Sequence, residues 1–216
     1  MFFWSLVSNS KINNLKFDTA FEGAIKCLRN SQELCDEAEL LHKNKMYARS
    51  FALSHFAREE LGKSFMLFRA LIEVAAGVKV DWKKLNRRFR DHKQKLINDA
   101  AISMFLFSTE FKKLGLPIEM AFQFIDKKND LKNKSLYTDW DDGNFTLPSD
   151  VVTEKQSKRN LDLAIFRIAK FSPSLVDLGS LKNETKESIR NSYPDELITN
   201  PEGFMKKFYS ELYSKT

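Results

Sequence analysis

A chain of 216 residues, 43% of them hydrophobic, is long and apolar enough to bury a core, which excludes a disordered protein despite 30% charged residues. Only 7 Gly and 5 Pro punctuate it, too few for the many turns of a β-rich protein. A formal charge of +6, from 35 Lys and Arg against 29 acids, permits a nucleic-acid or other anionic partner without requiring one.

The first stretch, MFFWSLV, is apolar but far too short to span a bilayer, and it has neither the basic start nor the cleavage site of a signal peptide. It reads as a packing segment or a dimer contact, with a peripheral membrane anchor as the lesser alternative, and no integral membrane association is expected. Asp18 can cap a first helix running to about Asn44, with Phe21, Ala24, Leu28, Ser31, Leu34, Ala38 and Leu41 on one face. Cys27 and Cys35 lie on that helix, held about 12 Å apart by two turns and unable to pair with each other. Two free thiols suit a cytoplasmic location.

A second helix is predicted from about Lys45 to Ala76, with Gly77 as its stop. It is apolar on more than one side, as a central helix must be. Ala48, Ala52, His55, Glu59, Gly62 or Lys63, and Met66 share a face, and the small residues there admit the close approach of another helix. The third helix starts near Asp81 and continues to about Leu114, before Leu116-Pro117 breaks it and a further helix follows Pro117. From Leu136 to Asp150 the periodicity stops, and the aromatics Tyr137, Trp140 and Phe145 suggest an ordered loop with something to bury. Thr153 and Gln156 form a capping box for a helix to about Lys170, Ser172-Pro173 interrupts it, and Leu175 to Arg190 is weakly helical. Asn200-Pro201 opens a last amphipathic helix. The predicted fold is an all-α helical bundle with residues 1–135 as core, an ordered aromatic and acidic loop at 136–153, and C-terminal helices at 154–216 packed on the core as one compact domain.

Two stretches carry charge where the pattern asks for apolar residues. In RRFRDHKQKL, Trp82, Leu85, Phe89, His92 and Leu96 form one stripe of a continuous helix, so His92 takes a seam position, flanked by Arg88 and Lys95, with Arg87 and Arg90 nearby. In HFAREELGKSF, Glu59 or Glu60 with Lys63 puts ions into an apolar helix, which is costly unless they are paired. The structural reading is an internal Glu–Lys pair and a core histidine satisfied by a carbonyl or by Glu60. The functional reading is phosphodiester chemistry, with an imidazole that exchanges protons near neutral pH and cations that meet a phosphate. Such a site cleaves RNA through the ribose 2′-hydroxyl and leaves DNA intact. Glu39-x-x-His42 has the carboxylate–histidine spacing of di-iron bundles but no second copy, since Ala52 and Phe89 stand three residues before His55 and His92. No zinc pattern, GxGxxG or P-loop is present, and GKS at 62–64 lacks the upstream glycine, so neither a metal nor another cofactor is expected.

YARSFALSHFAREELGKS, then RRFRDHKQKL, then LKNKSLYTDWDDGNFTLPSDVVTEK together resemble the AbiV family of abortive infection proteins, within the HEPN superfamily of small helical domains. The resemblance runs from roughly Phe21 to Arg167. It implies anti-phage defence, in which an infected bacterium halts growth or protein synthesis. It further implies a metal-independent ribonuclease acting as a homodimer, with an Arg-x4-6-His motif from each subunit lining a shared cleft. Arg87 and His92 fit the short form of that motif. On a straight helix those two point about 140° apart, whereas Arg88 and His92 share a face, so the arginine stays open between Arg87 and Arg88. The site expected on this basis is catalytic His92 with Arg87 or Arg88, supported by Glu59, Glu60, Lys63, Arg90 and Lys95. Its partners would be RNA and a phage-encoded activator. The alternative is a non-catalytic HEPN-type protein that binds a phage or host component, its polar cluster fixing helix register.

Overall fold

The structure is a computed structural model that describes residues 12–113, 125–141, 143–192 and 207, the side chains of 104–113, 126 and 141 apart. The fold is all-α, with one small hairpin among the described residues. Helix α1 (Phe17–Lys43) turns back into α2 (Tyr47–Ala75), and α3 (Trp82–Arg90) and α4 (His92–Lys113) follow. After α5 (Ile125–Lys134), strands β1 (Asp139–Asp141) and β2 (Asn144–Thr146) lead through the short α6 (Pro148–Val151) to the long α7 (Glu154–Leu178). A 3-10 turn (Gly179–Asn183) and α8 (Lys186–Ser192) follow. The N-terminal MFFWSLV, the start of the helix expected after Pro117, and Asn200-Pro201 lie outside the described residues.

Helix α2 occupies the centre because its sequence is apolar all round, and α1, α4 and α7 each take one of its sides. The buried face of α1, Ala20, Ala24, Leu28, Ser31, Cys35 and Ala38, follows helical steps of three and four. Small residues let α1 and α2 come close enough for Ser31 Oγ to donate to the Ala57 carbonyl at 2.6 Å and Ser64 Oγ to the Ala24 carbonyl at 2.9 Å. Asp18 lies inside the first turn of α1 rather than at its cap, which is Lys16. Gly77 ends the α2 segment as expected, in the left-handed region at φ 71°. The Arg190 Nε donates to the Ala76 carbonyl at 3.1 Å, tying α8 to that helix end.

On α7, Leu161, Ala164, Ile168, Phe171, Leu175 and Leu178 extend the same buried cluster, with Phe171 edge-on to Phe65 and Phe68 at 5.6 and 5.4 Å. The expected interruption at Ser172-Pro173 does not occur: α7 runs through Pro173. The Thr153–Gln156 capping box is formed at its start. The loop reading of 136–150 also needs correction. Trp140 pairs with Phe145 across a two-stranded antiparallel hairpin turned at Gly143, φ 88°. Tyr137, Trp140 and Phe145 are 68%, 60% and 76% exposed, so Trp140 and Phe145 pack on each other rather than into a core. Among the described residues no helix is long and apolar enough to cross a membrane.

Candidate functional site

A carboxylate on the central helix of a bundle is tolerated only if cations reach it. Glu59 is 3% exposed, and three residues from two other helices converge on it. The Lys95 Nζ lies 2.6 Å from its Oε2, and the Lys132 Nζ of α5 lies 4.0 Å from its Oε1. The His92 Nδ1 lies 2.7 Å from Oε2 and 2.8 Å from Oε1. A ring nitrogen facing a carboxylate at this distance carries the proton, so Nδ1–H donates to Glu59. The Lys95 ammonium, 3.4 Å from the same nitrogen, brings only donors and cannot compete for that role. Nε2 has no partner among the described residues, and the His92 side chain is 51% exposed. The dyad therefore holds one face of the imidazole on a buried anion and offers the other to solvent.

Local chain geometry produces this arrangement. The continuous third helix expected from Asp81 to about Leu114 is in fact two helices, broken at Asp91, which is extended at φ −93° and ψ 113°. Asp91 accepts the Gln94 N–H at 3.1 Å, so it serves as N-cap of α4, and His92 becomes the first residue of that helix. His92 consequently leaves the stripe that Leu85, Phe89 and Leu96 keep and stands half-exposed, not in a core seam. Lys95 follows one turn later on the same face. Gly62, one turn beyond Glu59 on α2, lets the start of α4 press against it: a Cβ there would stand 2.1 Å from the Lys95 carbonyl oxygen. The close approach that the small residues of α2 suggest is thus made at Gly62.

The other expected residues divide. Glu60 points away from His92 and pairs with Lys63 at 2.5 Å, both half-buried, so the carboxylate that meets the histidine is Glu59. Arg87 and Arg90 are exposed and line a groove on the outer side of α3 with Trp82, Lys83 and Asn86. Arg88 is half-buried on another side of that helix, where its charge acts on Glu73. Among the described residues Glu39 and His42 gather no metal set: Glu39 pairs with Lys43 at 3.2 Å, and His42 Nδ1 lies 2.9 Å from Ser157 Oγ.

Beside the dyad is a polar network that sequence reasoning missed. Asp99, fully buried on α4, accepts from Arg58 Nε at 2.9 Å and pairs with Arg167 of α7 through the same Oδ2. Arg58 also donates to Asn160 Oδ1 at 2.7 Å, and Arg167 Nε donates to Ser103 Oγ at 2.6 Å. The signal was present as single charges inside apolar runs: Arg58 in SHFAR, Asp99 in INDAA, Arg167 in AIFRI. Two arginines on one carboxylate leave a buried positive surplus. Burial, then Arg58 and Arg167, draws the nearby Lys128 ammonium down to about 8. His55, on α2 one turn before Glu59, is fully buried with no hydrogen bond to either ring nitrogen. Burial first, then Arg58 and the lysines of α5, holds its pKa well below 6.5, so the ring is neutral and its 3.6 Å approach to Glu59 is no ion pair.

The dyad comes from two of the three stretches that carry the family resemblance, AREELGKS and RRFRDHKQKL. The model of the HEPN-type AbiV family matches residues 19–167, a span that begins in α1 and ends at Arg167 of the buried network. No curated protein and no solved structure matches significantly. With about two-thirds of its length matched, the chain belongs to the AbiV family, whose members are HEPN-type abortive-infection proteins.

Proposed function

We propose that the protein is a metal-independent endoribonuclease that halts translation in phage-infected cells, acting as a homodimer. The observation that carries this reading is the His92 ring, fixed through Nδ1 on buried Glu59 with Nε2 left open to solvent. Nε2 takes the proton of a ribose 2′-hydroxyl, the 2′-oxygen attacks the adjacent phosphorus, and the 5′-oxygen leaves and is protonated. The products are a 2′,3′-cyclic phosphate and a 5′-hydroxyl. Glu59 fixes the tautomer and stabilises the imidazolium that forms, as a buried carboxylate does behind a catalytic histidine. Arg87 or Arg88 meets the phosphate as its charge grows, and a second copy of the chain across the site supplies a second set. RNA and a phage-encoded activator are the partners in this scheme.

The test is total RNA on denaturing gels from cells expressing wild type, His92→Ala or Glu59→Gln, with and without phage. Discrete fragments in infected wild-type cells and in neither variant support the reading; a 2′-deoxy substitution at the mapped site then blocks cleavage. Intact RNA in every lane while phage is still restricted would defeat it. A second reading has its own observation: Glu59 holds Lys95 and Lys132 whatever His92 does, so the cluster also serves to lock α2, α4 and α5 together. On that reading the protein is a non-catalytic partner of a phage or host component, and His92→Ala keeps full protection.

A further inference from the structure

We infer that the outer groove of α3 binds single-stranded RNA, with Trp82 as a stacking platform for a base and Lys83 and Arg90 on the phosphates. The inference rests on the ribonuclease reading and extends it to how substrate is held. The groove encloses about 510 Å³ and is lined by Ile12, Asn13, Trp82, Lys83, Asn86, Arg87 and Arg90. Its wall is firm, because Asn86 holds the incoming chain on α3: it accepts the Ile12 N–H at 2.9 Å and donates to the Ile12 carbonyl at 2.5 Å. Trp82 is only partly buried, packed against the core on one side and lining the groove.

Charge selects the occupant. Lys83, Arg87 and Arg90 sit at i, i+4 and i+7 on one face of α3, spread over about 10 Å of helix. None has an ion-pair partner among the described residues. The neighbouring acids are otherwise engaged: Asp81 accepts the Lys84 N–H and Asp91 accepts the Gln94 N–H, each as a helix cap. An apolar floor with an indole, edged by three cations, fits a ligand with a flat apolar part and a regular anionic backbone. A single-stranded nucleic acid has both, whereas an A-form duplex hides its bases and offers only phosphates. Arg90, on the edge of the groove, is two residues from His92 in the chain, across the Asp91 break.

The test uses full-length protein carrying His92→Ala, so that bound RNA survives, with Trp4→Phe and Trp140→Phe to leave Trp82 as the sole indole. Titration with a short oligouridylate is expected to quench Trp82 emission saturably. Lys83→Glu with Arg90→Glu, both exposed and safe for folding, should weaken binding at least tenfold and lower the log–log salt slope by about 1.4, two phosphate contacts' worth. Trp82→Leu, followed with a labelled oligonucleotide, should weaken binding about tenfold through loss of stacking. Heparin, a polyanion without bases, should compete without quenching. Quenching that ignores the charge reversals, or binding that ignores Trp82→Leu, overturns the inference. So does Trp82 emission that responds to protein concentration alone, which gives the groove to a second copy. Cleavage by the wild type with unchanged KM in the groove variants overturns the groove and leaves the ribonuclease. Groove-dependent binding with no cleavage by the wild type, even when extract of phage-infected cells is added, upholds the groove and removes the ribonuclease.

Discussion

Glu59 and Glu60 are neighbours on α2 with opposite surroundings, and the difference is measurable. Glu60 and Lys63 pair one turn apart and half-buried, so Glu60→Gln should cost less than about 1 kcal/mol. Glu59→Gln leaves Lys95 and Lys132, 7% and 5% exposed, without their carboxylate. Breaking a buried pair in this way costs about 3–5 kcal/mol, which lowers Tm by roughly 6 °C or more in a chain of this size. Thermal melts of the two variants should separate clearly; equal shifts would mean that Glu59 is not the hub. His55 sets a pH dependence of its own. The folded protein keeps the ring neutral, while the unfolded chain takes a proton as pH falls below about 6.5. Stability contributed above that pH is therefore lost as pH falls through and below 6.5, by up to about 1.4 kcal/mol per unit. Urea midpoints at pH 7.5 and 5.5 should diverge more for the wild type than for His55→Leu. At this scale the sequence exposed that charges were misplaced but not which ones meet. Glu59 and Glu60 differ by 100° of helix, and the choice between them depends on where α4 lies.

Among elements, the informative error concerns the α3–α4 break. Leu85, Phe89 and Leu96 stay on the buried side both before and after Asp91, so periodicity reads straight through it. The cue was Asp91 followed three residues later by Gln94, an N-cap pattern hidden inside a helical run. Pro173 shows the reverse. A proline inside a helix costs about 3 kcal/mol, and the sequence therefore suggests a stop. Burial of Phe171, Leu175 and Leu178 on both sides of it outweighs that cost, since each large apolar side chain contributes about 1.5–3 kcal/mol. Gly62 gives a test in which propensity and packing oppose each other. In an open helix Gly62→Ala would stabilise by about 1 kcal/mol. Here the added methyl meets a backbone carbonyl at 2.1 Å, which no rotamer change relieves, so α4 must shift away from α2. The expected result is a net loss of about 1–3 kcal/mol, a lower Tm, and loss of phage protection as His92 moves off Glu59. A raised Tm would show that α4 does not press on Gly62.

For the molecule as a whole, helices that are distant in sequence are joined twice at one place. Arg58 and Glu59 are adjacent on α2, and Lys95 and Asp99 are one turn apart on α4; Glu59 takes Lys95 while Arg58 takes Asp99. Lys132 adds α5 to the first pair and Arg167 adds α7 to the second. The all-α class and the helices around the site, the α3–α4 break excepted, followed from periodicity and punctuation, and the family from three motifs. The joint itself did not, because contacts such as Arg58–Asn160, 102 residues apart, leave no local spacing to read. Its energetics can be separated by a double-mutant cycle. Asp99→Asn should be severe, about 3–5 kcal/mol, because two buried guanidinium groups lose their shared anion. Arg167→Met should cost less, since it removes the surplus charge and leaves Arg58 with Asp99. In the double variant one buried arginine faces a neutral amide rather than two, so the loss should fall short of the sum by about 1–3 kcal/mol in urea unfolding. Additive losses would mean that the two arginines reach Asp99 independently. The same joint ties site to fold: Asp99→Asn should lose protection and stability together, whereas His92→Ala, on a half-exposed side chain, should lose protection with Tm nearly unchanged.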